Sequence, residues 1–210
     1  MIPVKTRVRW RVGHGSWRWP VRVGLMLAAL SPMAVRAGEE PVPEAREPIV
    51  RHVDRREDAE AKKRVWYYRN RLPAEFQRMN NFAWARADIP GLRKKEYYAH
   101  SRIQSLDNLS SRAARKIQGI SPQPDRETAR FRTLFVDFEG NIGGPNAIPR
   151  WFDTEYKILE DIAARLPDPS VEGRILMYTY LEPCLSCRGV MEQFMAIYTN
   201  VEMEVIYEWP

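Results

Sequence analysis

The chain has two cysteines, Cys184 and Cys187, set in Glu182-Pro183-Cys184-Leu185-Ser186-Cys187-Arg188. Thiols three residues apart at the start of a helix lie about one turn apart, so both sulfurs can reach one ion. Zinc prefers thiolate, and the positive end of a helix favours the thiolate form. A catalytic zinc site uses three protein ligands and leaves a fourth position open. Asp153, in Trp151-Phe152-Asp153-Thr154-Glu155, is the candidate third ligand through a carboxylate oxygen. Glu155, two residues on, is then free to act as a proton shuttle beside the bound water. Zinc lowers the pKa of such a water to about 7, so hydroxide is available at neutral pH. Zn2+ is therefore the expected cofactor.

The same residues have plainer uses. Asp153 stands where a helix N-cap belongs. The C-x-x-C pair also serves in thiol–disulfide exchange or in a structural zinc site. A structural site wants four closed ligands, and no second Cys/His pair is present to supply them. A thioredoxin-type pair belongs after the first strand of a βαβ unit, whereas this one lies near the end of the sequence.

The pattern around the motifs says what must hold them. From Thr154, apolar Ile158, Leu159, Ile162, Ala163 and Leu166 fall on one helical face, and Pro167-Asp168-Pro169 ends the helix. Residues 173–181 read as a mostly apolar, central strand. Pro183 suits the first turn of a second helix, with Val190, Met191, Phe194 and Ile197 as its buried stripe. Residues 201–207 alternate as a strand. Upstream, 82–89 and 96–103 read as a hairpin around Pro90-Gly91, and 133–138 as a short strand. Residues 106–120 read as loop or marginal helix. The result is an α/β, three-layer, sandwich-like fold: a mixed β-sheet with helices packed on it and a short C-terminus. In that arrangement the two helix N-termini face each other across one end of the sheet. The sheet is expected to stop at its last strand.

Residues 80–210 form this domain, and 51–79 a helical N-terminal extension with a helix ending near Leu72-Pro73. Residues 38–50 are a Pro/Glu-rich linker. Residues 1–37 carry seven basic residues and no acid, then a short apolar run ending in Val35-Arg36-Ala37, the layout of a secretory signal peptide. The expected location is exported, periplasmic or secreted, with no stable membrane span once the signal is removed.

Charge is unevenly spread. Residues 51–133 hold 20 Lys and Arg against 10 acids, and 134–210 hold 5 against 13. A basic first half fits either a nucleic-acid partner or pairing with the acidic half. Arg102, Arg112, Arg115 and Lys116 are candidate phosphate contacts, although any one of them alone reads first as solvated surface. His100 and Ser101, at a strand end, are candidate substrate-binding residues.

Asp153-x-Glu155 followed by Pro183-Cys184-x-x-Cys187 resembles the cytidine deaminase-like superfamily, whose usual form is H-x-E then P-C-x-x-C. The string Phe152-Asp153-Thr154-Glu155-Tyr156-Lys157-Ile158-Leu159 with Glu182-Pro183-Cys184-Leu185-Ser186-Cys187 and Phe194 looks closest to bacterial toxin-type deaminases. The resemblance covers roughly 80–208 and is specific from about 150. It implies one zinc held by Asp153, Cys184 and Cys187, with attack of zinc-bound hydroxide on the carbon bearing the amine. Glu155 would take the water proton first and then deliver protons to the ring nitrogen and to the leaving ammonia. The implied substrate is cytosine in nucleic acid or a nucleotide. Use as a toxin or effector in a target cell, with a cognate immunity protein, follows from the same likeness. Asp153 stands where the superfamily usually has His, adding a negative charge beside two thiolates. Two other classes remain: an exported thiol redox protein using Cys184 and Cys187, and a non-catalytic binding protein with a deaminase-like fold.

Overall fold

Along Phe82–Asp88 (β2) small and large side chains alternate. Ala83, Ala85 and Ala87 join one core cluster, Phe82 and Trp84 the other, and all five are buried. Three alanines let helices lie close on their side, while aromatic rings fill the wider gap opposite. Such a strand must be covered on both faces. It is so in the computed structural model, which describes residues 46–209. The expected signal segment and most of the expected linker lie outside the described residues.

After β2 the chain turns at Pro90-Gly91, where Gly91 adopts φ 78. It returns as β3 (Glu96–His100), antiparallel, with Trp84 opposite Tyr98. On the other side of β2 runs β6 (Gly173–Leu181), also antiparallel. Gly173 opens β6 where a Cβ would lie 2.7 Å from the Asp88 carbonyl oxygen, so glycine alone permits this approach. β7 (Val201–Trp209) runs parallel to β6, and β1 (Ile49–His52) parallel to β7, giving the order β1-β7-β6-β2-β3. A small separate hairpin joins β4 (Phe135–Val136) and β5 (Ile148–Pro149).

Helix α1 (Ala59–Arg69) buries Ala61 and Val65 on the face that carries Trp84, Tyr98 and Tyr178. The short α2 (Ser111–Lys116) is capped by Ser110 Oγ, which accepts the Ala113 N–H at 3.3 Å, and leads into Ile117 of the same cluster. α3 (Thr154–Ala163) and α4 (Leu185–Ile197) cover the alanine face with Ile158, Leu159, Ile162, Val190, Met191 and Phe194. Each such side chain, fully buried, contributes about 1.5–3 kcal/mol. The molecule is thus a three-layer α/β fold, as the sequence predicts.

Three elements differ from the sequence reading. The expected helix from residue 51 starts only at Ala59. Before it, β1 pairs with β7, and Asp54 Oδ1 accepts the Arg56 and Glu57 amides at 2.7 and 2.9 Å, a local turn that competes with helix. The sheet continues past β7, because β1 takes its open flank. Pro183 lies just outside α4, whose N-cap is Cys184. α3 is also buried on more than its apolar stripe. Lys157 Nζ donates to the carbonyls of His100 and Ile103 and to Gln104 Oε1 at 3.0–3.1 Å. Glu160 accepts the Arg130 and Phe131 amides at 3.2 and 2.7 Å. These polar side chains bind loops over the helix, which is why its polar side is not solvent-facing.

Candidate metal centre

Asp153 is the N-cap of α3 and Cys184 the N-cap of α4. An Asp there ordinarily accepts an amide of its own first turn. Neither side chain does so here. Asp153 turns instead toward the facing helix, and Cys184 Sγ lies beside Asp153 and beside Cys187 of its own first turn. Asp153 Oδ2 lies 3.2 Å from Cys187 Sγ and 3.4 Å from Cys184 Sγ, and the two sulfurs are 3.4 Å apart. The cysteines are free thiols. Tetrahedral zinc bonds of the usual lengths would set sulfur–sulfur and sulfur–oxygen edges of about 3.8 and about 3.5 Å. The observed triangle is slightly smaller, so the donor set fits the ion with a small expansion. The three residues form the only group of this kind among the described residues.

Electrostatics point the same way. Burial, with Glu155 and Cys184 nearby, pushes the Asp153 carboxyl up to about 8. The hydrogen bond shared by the sulfurs draws Cys184 down to about 6 and drives Cys187 well above the thiol range. The Arg150 guanidinium pulls Asp153 and Cys184 toward their charged forms. One cation does not balance three anions in a buried place, so the cluster must hold protons or a metal.

Glu155 is buried, with Oε2 3.6 Å from Cys187 Sγ. Its carboxylate is held by a ring of hydrogen bonds. Asn81 Nδ2 donates to Thr154 Oγ1 at 2.9 Å and to Thr179 Oγ1 at 3.0 Å. Thr154 Oγ1 donates to Glu155 Oε2 at 2.9 Å, and Thr179 Oγ1 to Glu155 Oε1 at 2.7 Å. Asn81 Oδ1 accepts the Tyr180 and Leu181 amides at 3.2 Å, which anchors the amide to the end of β6. One amide thus feeds two hydroxyls, and each hydroxyl feeds one carboxylate oxygen. Sequence reasoning missed Asn81 and Thr179. The available signal was slight: Asn80-Asn81 directly before an alternating strand, with Asn80 in the left-handed conformation at φ 63 that asparagine tolerates.

The structure brings Asp153, Glu155, Cys184 and Cys187 together and places His100 and Ser101 elsewhere. The His100 ring is fully buried, with Nε2 3.0 Å from the Met79 carbonyl and Nδ1 accepting the Arg102 amide at 3.1 Å. The Ser101 N–H donates to the Asn81 carbonyl at 3.0 Å. Neither side chain hydrogen-bonds to the metal-site trio or to Glu155. Together they clamp the segment that presents Asn81. Ser186, between the cysteines, accepts the Leu134 amide at 2.9 Å and ties the β4 segment to the first turn of α4.

A mixed sheet whose facing helices begin with D-x-E and P-C-x-x-C defines a deaminase of the cytidine deaminase-like superfamily. The model of the toxin-deaminase family described as the BURPS668_1122 family of deaminases matches residues 66–209. The match spans more than half of the chain and every residue of the site, so the chain belongs to this family of deaminases. No curated protein and no solved structure matches it.

Proposed function

We propose that the protein is a zinc-dependent, hydrolytic nucleobase deaminase acting on cytosine in nucleic acid or a nucleotide, and that it serves as a toxin. The observation that carries this reading is the meeting of Asp153, Cys184 and Cys187 within 4.8 Å of one another, with Glu155 Oε2 against Cys187. Asp153 and the two sulfurs would hold the ion, which when bound supplies a Lewis acid that acidifies a water. Glu155 Oε2, on the side facing Cys187, would accept a proton from the attacking water and hand it to the ring nitrogen. It then moves the second proton to the departing amine, so that amine and water exchange for carbonyl and ammonia. Thr154, Thr179 and Asn81 keep the carboxylate in one orientation through both transfers. As parts of the same proposal, residues 1–37 direct export, and a cognate immunity protein protects the producing cell.

The test is expression of residues 38–210, without the proposed export segment, with and without Glu155→Ala, followed by sequencing of host DNA and RNA and metal analysis of the purified protein. Expected are about one zinc per chain, retained in the variant, and C-to-U changes only with Glu155 present. Equal mutation spectra in the two would sink the catalytic role of Glu155. A metal-free protein cycling between dithiol and disulfide would replace this reading with redox chemistry.

A further inference from the structure

Beside the metal site, on the flank of the first turn of α3, lies a cleft of about 330 Å³. Arg126, Phe131, Arg132, Thr133, Trp151 and Tyr156 line it. Trp151 precedes Asp153 by two residues, and Tyr156 follows Glu155 directly, so the cleft and the site share one stretch of backbone. Four other surface clefts of similar size each contain carboxylates, and this one contains none.

The donors of the cleft are unused. Among the described residues, Arg126 and Arg132 make no side-chain hydrogen bond and no ion pair, and the Thr133 and Tyr156 hydroxyls have no partner. Three neighbouring arginines are engaged by contrast: Arg130 bonds Tyr198 Oη at 3.0 Å, Arg150 the Asp137 carbonyl at 3.1 Å, and Arg165 Asp161 at 2.9 Å. Arg126 is nevertheless held in place. Its guanidinium carbon lies 3.9 Å from the centre of the Trp151 ring, and Phe135 packs edge-on against that same ring. Stacking fixes the plane of the guanidinium while leaving its N–H edge free, the arrangement in which arginine recognises phosphate.

We infer that this cleft binds a backbone phosphodiester of a single-stranded polynucleotide, next to the nucleotide whose base enters the metal site. The inference rests on the deaminase reading and narrows its substrate from nucleotides in general to a strand that continues past the target base. A free nucleoside would leave the cleft empty. A duplex would have to release its target base to reach a buried Glu155.

Binding tests this apart from turnover. The full chain carrying Glu155→Gln is titrated into labelled 12-nucleotide single strands, DNA and RNA, at two salt concentrations, and compared with the same protein also carrying Arg126→Gln and Arg132→Gln. Both arginines are exposed, so the fold should survive, and an unchanged melting curve verifies it. The expected loss of affinity is at least tenfold, with the salt slope of log Kd shallower by about 1.4 for two phosphate contacts. Arg112→Gln with Arg115→Gln, an equal change of charge on exposed α2, should weaken binding less than threefold. Equal losses in the two pairs would overturn the assignment, as would unchanged affinity in the first. A parallel loss of CMP or inorganic phosphate binding would place a terminal phosphate, not a phosphodiester, in the cleft and overturn it too. Because no arm requires turnover, a protein that deaminates nothing still answers the question. Conversely, a failed binding result leaves the C-to-U test of Glu155 untouched.

Discussion

Two acidic clusters lie on opposite faces of one sheet and are built on opposite principles. Under α1, the Glu96 carboxylate accepts Arg64 Nε at 2.7 Å and Arg64 Nη2 at 2.5 Å, Tyr68 Oη at 3.1 Å and Trp84 Nε1 at 3.1 Å. Although burial opposes it, these partners hold Glu96 below the usual carboxylate range. Under α3 and α4, Asp153 meets two sulfurs and a second carboxylate, and is pushed up to about 8. The first cluster carries its own counter-charge and is complete. The second is arranged so that its charge is balanced only when something else arrives. A satisfied carboxylate joins elements together, whereas an unsatisfied cluster held rigidly by its surroundings is a site.

Experiments can break this contrast, starting with the largest effect. Cys187→Ser should abolish zinc binding and activity together and lower the melting temperature of the purified protein, and chelation of the wild type should reproduce all three. Zinc retained in full would remove Cys187 from the ligand set. Glu155→Gln should lower kcat by about 10²–10⁴-fold while zinc content stays unchanged, since the amide cannot accept the proton. Loss of zinc in that variant would make Glu155 a ligand instead.

Asn81→Ala should lower kcat by roughly 10²-fold with little change in KM, because the carboxylate loses its orientation and not its chemistry. Thr179→Ser should recover most of what Thr179→Val loses. A serine no better than valine would show that packing, not the hydroxyl, matters at this position. On the other face, Glu96→Gln should cost about 1–2 kcal/mol of stability in denaturant titration and leave zinc and kcat alone. A fall in activity would mean the two faces are coupled.

The smallest effect concerns pH. Glu96 has a lowered folded-state pKa, so its stabilisation is fully present above the unfolded value near 4.5 and is lost as pH falls through the lowered value. Glu96→Gln should therefore flatten the stability curve on the acid side only. A variant differing from wild type equally at pH 3 and pH 7 would contradict that.

Much of the fold was legible in the sequence because it rests on local patterns. The alternation of 82–88, the stripe from Ile158 to Leu166 and the apolar run of 173–181 each survive as β2, α3 and β6. The D-x-E and P-C-x-x-C pairs were legible because the deaminase pattern restricts both residue type and spacing. Where the sequence was silent, the deciding partner lay outside the local pattern. Ile49–His52 is a strand because β7, some 150 residues later, offers an open edge. His100 is enclosed by main-chain groups of the Met79 and Arg102 segments, which no local pattern announces.

Residue types and spacing alone determined that the protein carries D-x-E and P-C-x-x-C at the starts of two helices of an α/β fold, the pattern of a deaminase. Only the tertiary structure decided that Asp153 forgoes its own helix to face the sulfurs. It alone set Asn81 between two threonines to hold Glu155, and left the Arg126 and Arg132 donors free beside the site. Each of these depends on which distant groups compete for the same hydrogen-bonding atoms, and that competition exists only once the sheet has assembled.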